Sequence, residues 1–182
     1  MAFPAIGALG CGLCFGIVDR WMAHGPASVR HISNLAALWL AVAVLAGMTS
    51  TSVATGATFG FVVLVGALIG YYGWIAAFER SASLPSLVER ATPWFAASTF
   101  VGPAFGWLGT TWGVGRSRLA ASMLASAFLV DGIAYIAIDG REDSRNVVVH
   151  LATALFGIGL GSSLLLRRRR SNEFRSRMTL AT

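Results

Sequence analysis

The stretch LAALWLAVAVLAGMTSTSVATGATFGFVVLVGALIGYYGWIAAF, residues 35–78, runs for 44 residues without Asp, Glu, Lys, Arg or His. About 20 apolar residues carry a helix across a bilayer, so this run is long enough to cross twice. Within it, GMTSTSVATG (47–56) places Gly47 and Gly56 around a Ser/Thr cluster, which suits a tight turn between two helices. Backbone polar groups in lipid have to be satisfied within the protein. The alternating pattern of a barrel is absent, so helices are the expected form.

The rest of the chain is of the same kind. Of its 182 residues, 55% are hydrophobic and 12% charged, against about 25% charged in an ordinary soluble domain; the mean hydropathy is +0.68. The charged residues punctuate six expected spans, 2–19, 35–51, 54–78, 93–113, 119–139 and 146–166. The expected fold class is therefore all-α, a polytopic transmembrane helix bundle. Residues 1–166 form its single domain, and 167–182 form an Arg-rich tail. The opening MAFPAIGALGCGLCFGIV has no basic leader and no small-residue cleavage site, so it reads as a retained helix.

Orientation follows from arginine. All fourteen basic residues are Arg, and six of them lie in the tail. With Arg116 and Arg118, the tail side holds eight arginines against six on the other side. Basic residues near span ends stay inside, so both termini are expected in the cytoplasm, at the inner (cell) membrane. Arg167, Arg168, Arg169 and Arg170 then attract anionic inner-leaflet lipid, each by about 1 kcal/mol. No nucleic-acid role is expected of them.

In that topology SAFLVDGIAYIA (126–137) buries a carboxylate. Asp131 lies eight residues from the outer end of span five, about 12 Å deep at 1.5 Å per residue. An ionised Asp there costs roughly 2.5–3.5 kcal/mol, so it faces the bundle interior, takes a proton or finds a partner. Tyr135 shares its helix face, and His150 enters span six near the same level. Asp131, Tyr135 and His150 are the candidate substrate-binding residues of an outward polar cleft; the alternative is an Asp that merely bonds a neighbouring helix. Asp19, Tyr72 and Glu79 lie at the same outer level and extend the cleft. Trp21, Trp74 and Trp94 read as an interface belt. Glu79–Arg80 and Glu89–Arg90 read as solvated pairs bracketing a loop around Pro85.

Cys11 and Cys14 form a C-x-x-C pair. A thiolate within a span is costly, and no second pair is present to relay electrons, so the thiols are expected to pack as small apolar groups beside Gly7, Gly10, Gly12 and Gly16. Two thiols without a nearby His make no metal site. G-x-x-x-G pairs recur at Gly12/Gly16, Gly56/Gly60, Gly66/Gly70, Gly102/Gly106, Gly109/Gly113 and Gly157/Gly161. Together they imply close helix packing. Pro103 is expected to free the Thr99 carbonyl.

The succession GALIGYYG, FVGPAFGWLGTTWG and LASAFLVDGIAY, followed by a sixth apolar span ending in arginines, resembles a family of uncharacterised small actinobacterial membrane proteins, which implies no known activity. Size, six helices and an outward pocket also resemble the S-components of energy-coupling-factor transporters. That resemblance implies docking on a membrane partner through small residues of the first helix, here Ala8, Gly12 and Gly16. No protease, metalloenzyme or nucleotide-binding motif is present, and no cofactor is expected. The reading is a small-solute binding or transport protein. The alternatives are a non-catalytic assembly subunit, partnered or homo-oligomeric through small-residue faces, and a membrane-embedded thiol redox or lipid-modifying enzyme.

Overall fold

The computed structural model describes residues 2–33, 35–79, 83–115, 118–138, 151, 153–155 and 157–159. Among them helix is the only regular structure: α1 (Ala2–Met22), α2 (Ala27–Ser33), α3 (Ala36–Met48), α4 (Val53–Phe78), α5 (Leu84–Gly115) and α6 (Arg118–Ile138). The chain divides into two compact units, Met1–Ser117 and Arg118–Thr182.

In the first unit, α4 carries α1 on one side, while α3, α4 and α5 pack mutually. The α3–α4 connection is a Ser/Thr turn, as its composition suggests. Ser52 caps α4 by accepting from the Thr55 amide at 3.2 Å, and the buried Ser50 hydroxyl donates to the Ser52 carbonyl at 2.9 Å. Side-chain oxygens thereby satisfy groups that a helix end leaves without partners.

Glycine sets the helix–helix distances. Cβ atoms at Gly12 and Gly16 would run into the backbone of Val63 and Ala67, and one at Gly66 would stand 2.7 Å from the Leu9 carbonyl. The α1–α4 seam is therefore glycine on both sides. Because residue 12 meets 63 and 67 while 16 meets 67 and 71, the two helices run parallel. Gly60 meets Gly102 and Gly106, and Gly56 meets Gly106 and Thr110, so α5 runs antiparallel to α4. Gly109 lies against Val44 and Gly113 against Met48, which sets α3 parallel to α5. Directions thus alternate along α1, α3, α4 and α5. Gly106 sits where three helices meet, touching Gly47 of α3 and Gly56 and Gly60 of α4. There the buried Thr110 hydroxyl donates to the Gly47 carbonyl at 2.9 Å, a cross-helix bond of the kind that joins helices where water is scarce. Ala43, Val63 and Leu64 form the adjoining apolar core, with Trp39, Val101 and Phe105 against it.

The structure departs from the sequence reading at several points. The segment around Pro85 is not a loop. It is the first turn of α5, a 32-residue helix that runs through Pro93 and Pro103. Proline is tolerated in a first turn because its missing N–H has no helical partner there. Gly7 and Gly10 have nothing within 4 Å, and Cys11 and Cys14 are exposed free thiols, so of these residues only Gly12 and Gly16 belong to the packing face of α1. Among the described residues, stretches long and apolar enough to cross a membrane occur in two helices, Ala5–Met22 and Val53–Phe78. Helix α3, with 13 residues, spans only about 20 Å at 1.5 Å per residue.

In the second unit, residues 153–155 and 157–159 are helical. A Cβ at Gly157 would stand 2.7 Å from the Ala125 carbonyl of α6, so this segment packs closely on α6. The remainder of the expected sixth span and the tail with Arg167, Arg168, Arg169 and Arg170 lie outside the described residues, as do Arg80 and Gly161.

Gly106→Ala and Gly60→Ala are expected to destabilise the protein by about 1–3 kcal/mol each, because backbone rather than a flexible side chain is in the way. Gly7→Ala and Gly10→Ala should instead be neutral or stabilising by up to ~1 kcal/mol, from helix propensity alone. Thermal unfolding of the four variants in detergent checks both directions.

Candidate functional site

Running α1 parallel to α4, and α3 and α5 against them, brings the C-terminal ends of the first pair to the N-terminal ends of the second. A cavity of about 400 Å³ opens at this end. Asp19 of α1, Ser33 of α2 and Trp39 of α3 line it, with Leu68, Tyr71 and Tyr72 of α4 and Trp94, Ala97 and Ser98 of α5. Its volume falls in the range of small-ligand sites, about 300–1,000 Å³. Its walls are mostly apolar and aromatic.

Three of the polar residues lining it are nearly sealed from solvent. Asp19 is 4% exposed, Ser33 2% and Ser98 4%. A buried carboxylate needs donors or a cation. Asp19 receives a hydrogen bond from the Trp39 side chain and feels the neighbouring Arg20 through space. It has no ion pair among the described residues, because Arg20 is committed elsewhere. The Arg20 guanidinium grips Glu79 in a two-pronged pair, Nε to Oε1 at 2.6 Å and Nη2 to Oε2 at 2.5 Å. Nη1 reaches the Tyr71 hydroxyl at 3.3 Å, and the guanidinium lies 5.4 Å from the Tyr71 ring centroid. His24 Nε2 approaches Glu79 Oε1 at 3.5 Å. The Arg20 bond, aided by the nearby positive charge, holds the Glu79 carboxyl below its ordinary value of 4.5.

The aromatic wall is built edge to face. Trp39 meets Phe15 at 5.5 Å and Tyr71 at 5.9 Å between ring centroids, and Tyr71 meets Tyr72 at 5.3 Å, within the range that favours such pairs. The Tyr72 hydroxyl donates to the Arg90 carbonyl at 3.2 Å, tying α4 to α5. Ser33 and Ser98 donate within their own helices, to Arg30 O at 2.8 Å and Phe95 O at 2.7 Å.

A family model of unknown function covers residues 1–182. The chain belongs to the DUF6518 family. No curated protein and no solved structure matches it. The DUF6518 assignment supplies no activity, so the chemistry rests on the residues themselves.

Of the expected cleft residues, Asp19 and Tyr72 line this one cavity, and Glu79 stands beside it as the partner of Arg20. Glu79 is therefore paired across helices, with Arg20 of α1. Asp131 is half-buried on α6, in the second unit, and is engaged rather than free. The Tyr135 side chain and His150 lie outside the described residues. Trp39, Ser33 and Ser98 were not anticipated as site residues. Trp94, read as an interface aromatic, lines the cavity while remaining 59% exposed. A shallow groove near Pro103, between Thr58 and Thr99, offers no buried polar side chain. Among the described residues no cluster of His, Cys, Asp or Glu could hold a metal.

Glu79→Gln should lower stability by about 1 kcal/mol near neutral pH, since the pair is charge-assisted but partly wet. Its pairing energy is fully present above the ordinary carboxylate value of 4.5 and fades as pH falls through the depressed folded value. The gap between parent and Glu79→Gln should accordingly close in acid. Unfolding midpoints measured across acidic pH check this.

Proposed function

We propose that the protein is a multi-pass inner-membrane protein that binds a small solute in the α1–α5 cavity as a step in its transport. The observation that carries this reading is Asp19, 4% exposed yet lining a cavity of about 400 Å³. A charge-bearing group held inside the bundle of a bilayer protein marks a functional site by default.

Membrane residence is supported by apolar surface. The hydrophobic stretch Ala5–Met22 is only 17% buried, and Ile6, Val18, Trp21, Phe78 and Phe100 are all more than half exposed. A soluble monomer rarely presents so continuous an apolar face. The alternating helix directions agree with successive crossings. With the Arg-rich tail cytoplasmic, the Asp19 end of α1 faces outward, and Arg167, Arg168, Arg169 and Arg170 meet anionic inner-leaflet lipid. Docking on a partner through Gly12 and Gly16 finds no support, because α4 occupies both.

Native mass spectrometry of the protein extracted from its host membrane tests the reading. A small molecule should accompany the parent and be lost from both Asp19→Asn and the cavity-filling Ala97→Phe. A chain carrying lipid alone, unchanged by either substitution, would favour the assembly-subunit alternative.

A further inference from the structure

The hydrogen-bonding state of the cavity constrains what it can hold. Three hydroxyls on its wall have their protons committed. Ser33 and Ser98 donate to Arg30 O and Phe95 O, and Tyr72 donates to Arg90 O. The Trp39 side chain donates to Asp19. The Tyr71 oxygen receives Arg20 Nη1. Among the described wall residues, what faces the cavity is thus mostly acceptors, with the Asp19 carboxylate the strongest, and the Tyr71 O–H and the indole N–H of the largely exposed Trp94 are the donors left uncommitted. An anionic ligand would meet no donor array and one buried like charge.

The charge balance points the same way. Arg20, the adjacent cation, is held by both oxygens of Glu79, so Asp19 keeps an acceptor face without an ion pair among the described residues. Around it stand Trp39, Tyr72 and Trp94, whose ring faces attract cations, by about 2 kcal/mol or more where water is excluded. Tyr71 already holds one cation this way, the Arg20 guanidinium over its ring.

We propose that the ligand of this cavity is a small organic cation, an alkylammonium or quaternary ammonium compound whose charge sits against Asp19 and whose hydrocarbon body lies on the Trp39, Tyr72 and Trp94 rings. This rests on the reading of the cavity as a solute site. The empty space, roughly a dozen liquid-water volumes, admits a molecule of the size of choline or phenethylammonium.

Calorimetry and Trp fluorescence on the full chain in detergent, with choline, phenethylammonium, the neutral carbon isostere of choline and benzoate as probes, test the class. The parent should bind the cations, bind the isostere about tenfold or more weakly, and ignore benzoate. Asp19→Asn should erase the preference of choline over its isostere at an unchanged unfolding midpoint. Ala97→Phe, which keeps the carboxylate, should block both. Equal binding of choline and its isostere to the parent, or preference for benzoate, would overturn the cation assignment while leaving the cavity a solute site. Binding of none of the four probes would overturn the cation assignment, and the solute-site reading would fall with it if the extracted protein also carried no small molecule.

Discussion

Everything in the first unit depends on backbone-to-backbone contact at glycine. Gly106 of α5 touches Gly47 of α3 and Gly56 and Gly60 of α4, so three helices meet with no side chain between them. Close approach strengthens dispersion and lets Thr110 reach across to the Gly47 carbonyl. In an apolar solvent, where the hydrophobic effect does not drive helices together, such contact supplies much of the cohesion. The α1–α4 seam uses glycine likewise across a parallel pair, Gly12 and Gly16 lying against the backbone of Val63 and Ala67, and Gly66 and Gly70 against that of Leu9 and Leu13.

That parallel seam decides the chemistry at one end. It brings Arg20 to Glu79, 59 residues away in sequence, and leaves Asp19 turned toward α3 and α5. The same adjacency that makes Asp19–Arg20 look like a neutral pair on paper is broken by the fold, which gives the arginine to Glu79 and the carboxylate to the cavity. Tyr71 serves both sides, bonding the guanidinium through its hydroxyl and meeting Trp39 through its ring. Close helix packing below and a wide, aromatic-walled end above are two results of one pattern, small residues giving way to Trp and Tyr along the same helices.

How much of this was legible in the sequence can be argued residue by residue. The helices of 2–22, 36–48 and 53–78 follow from apolar runs and punctuating charges, and the glycine spacings announce close packing without saying which pairs meet. Asp19, Tyr72 and Glu79 were visible as polar groups at one level. Ser33, Trp39 and Ser98 were not, because each looks like an ordinary helical residue until another helix covers it. Pro85 suggested a loop that α5 does not make, since a proline in the first turn displaces no helical hydrogen bond. Asp131 drew attention because a lone carboxylate in an apolar run is conspicuous. Asp19, at the end of a run and beside an arginine, stood out in the sequence only as an extension of the cleft expected around Asp131.

The central claim is that Asp19 looks into a water-accessible cavity selective for positive charge. Chemical modification of Ser98→Cys, in a chain with Cys11→Ala and Cys14→Ala, reads this directly. Residue 98 is buried on the cavity wall, so a reagent reaches it only through the cavity. Cationic aminoethyl and anionic sulfonatoethyl methanethiosulfonates are compared, each rate normalised to the same reagent with a free thiol in solution. The account predicts modification, faster by the cationic reagent, with the difference abolished by adding Asp19→Asn. A thiol inert to both reagents, or modified faster by the anion, would contradict it.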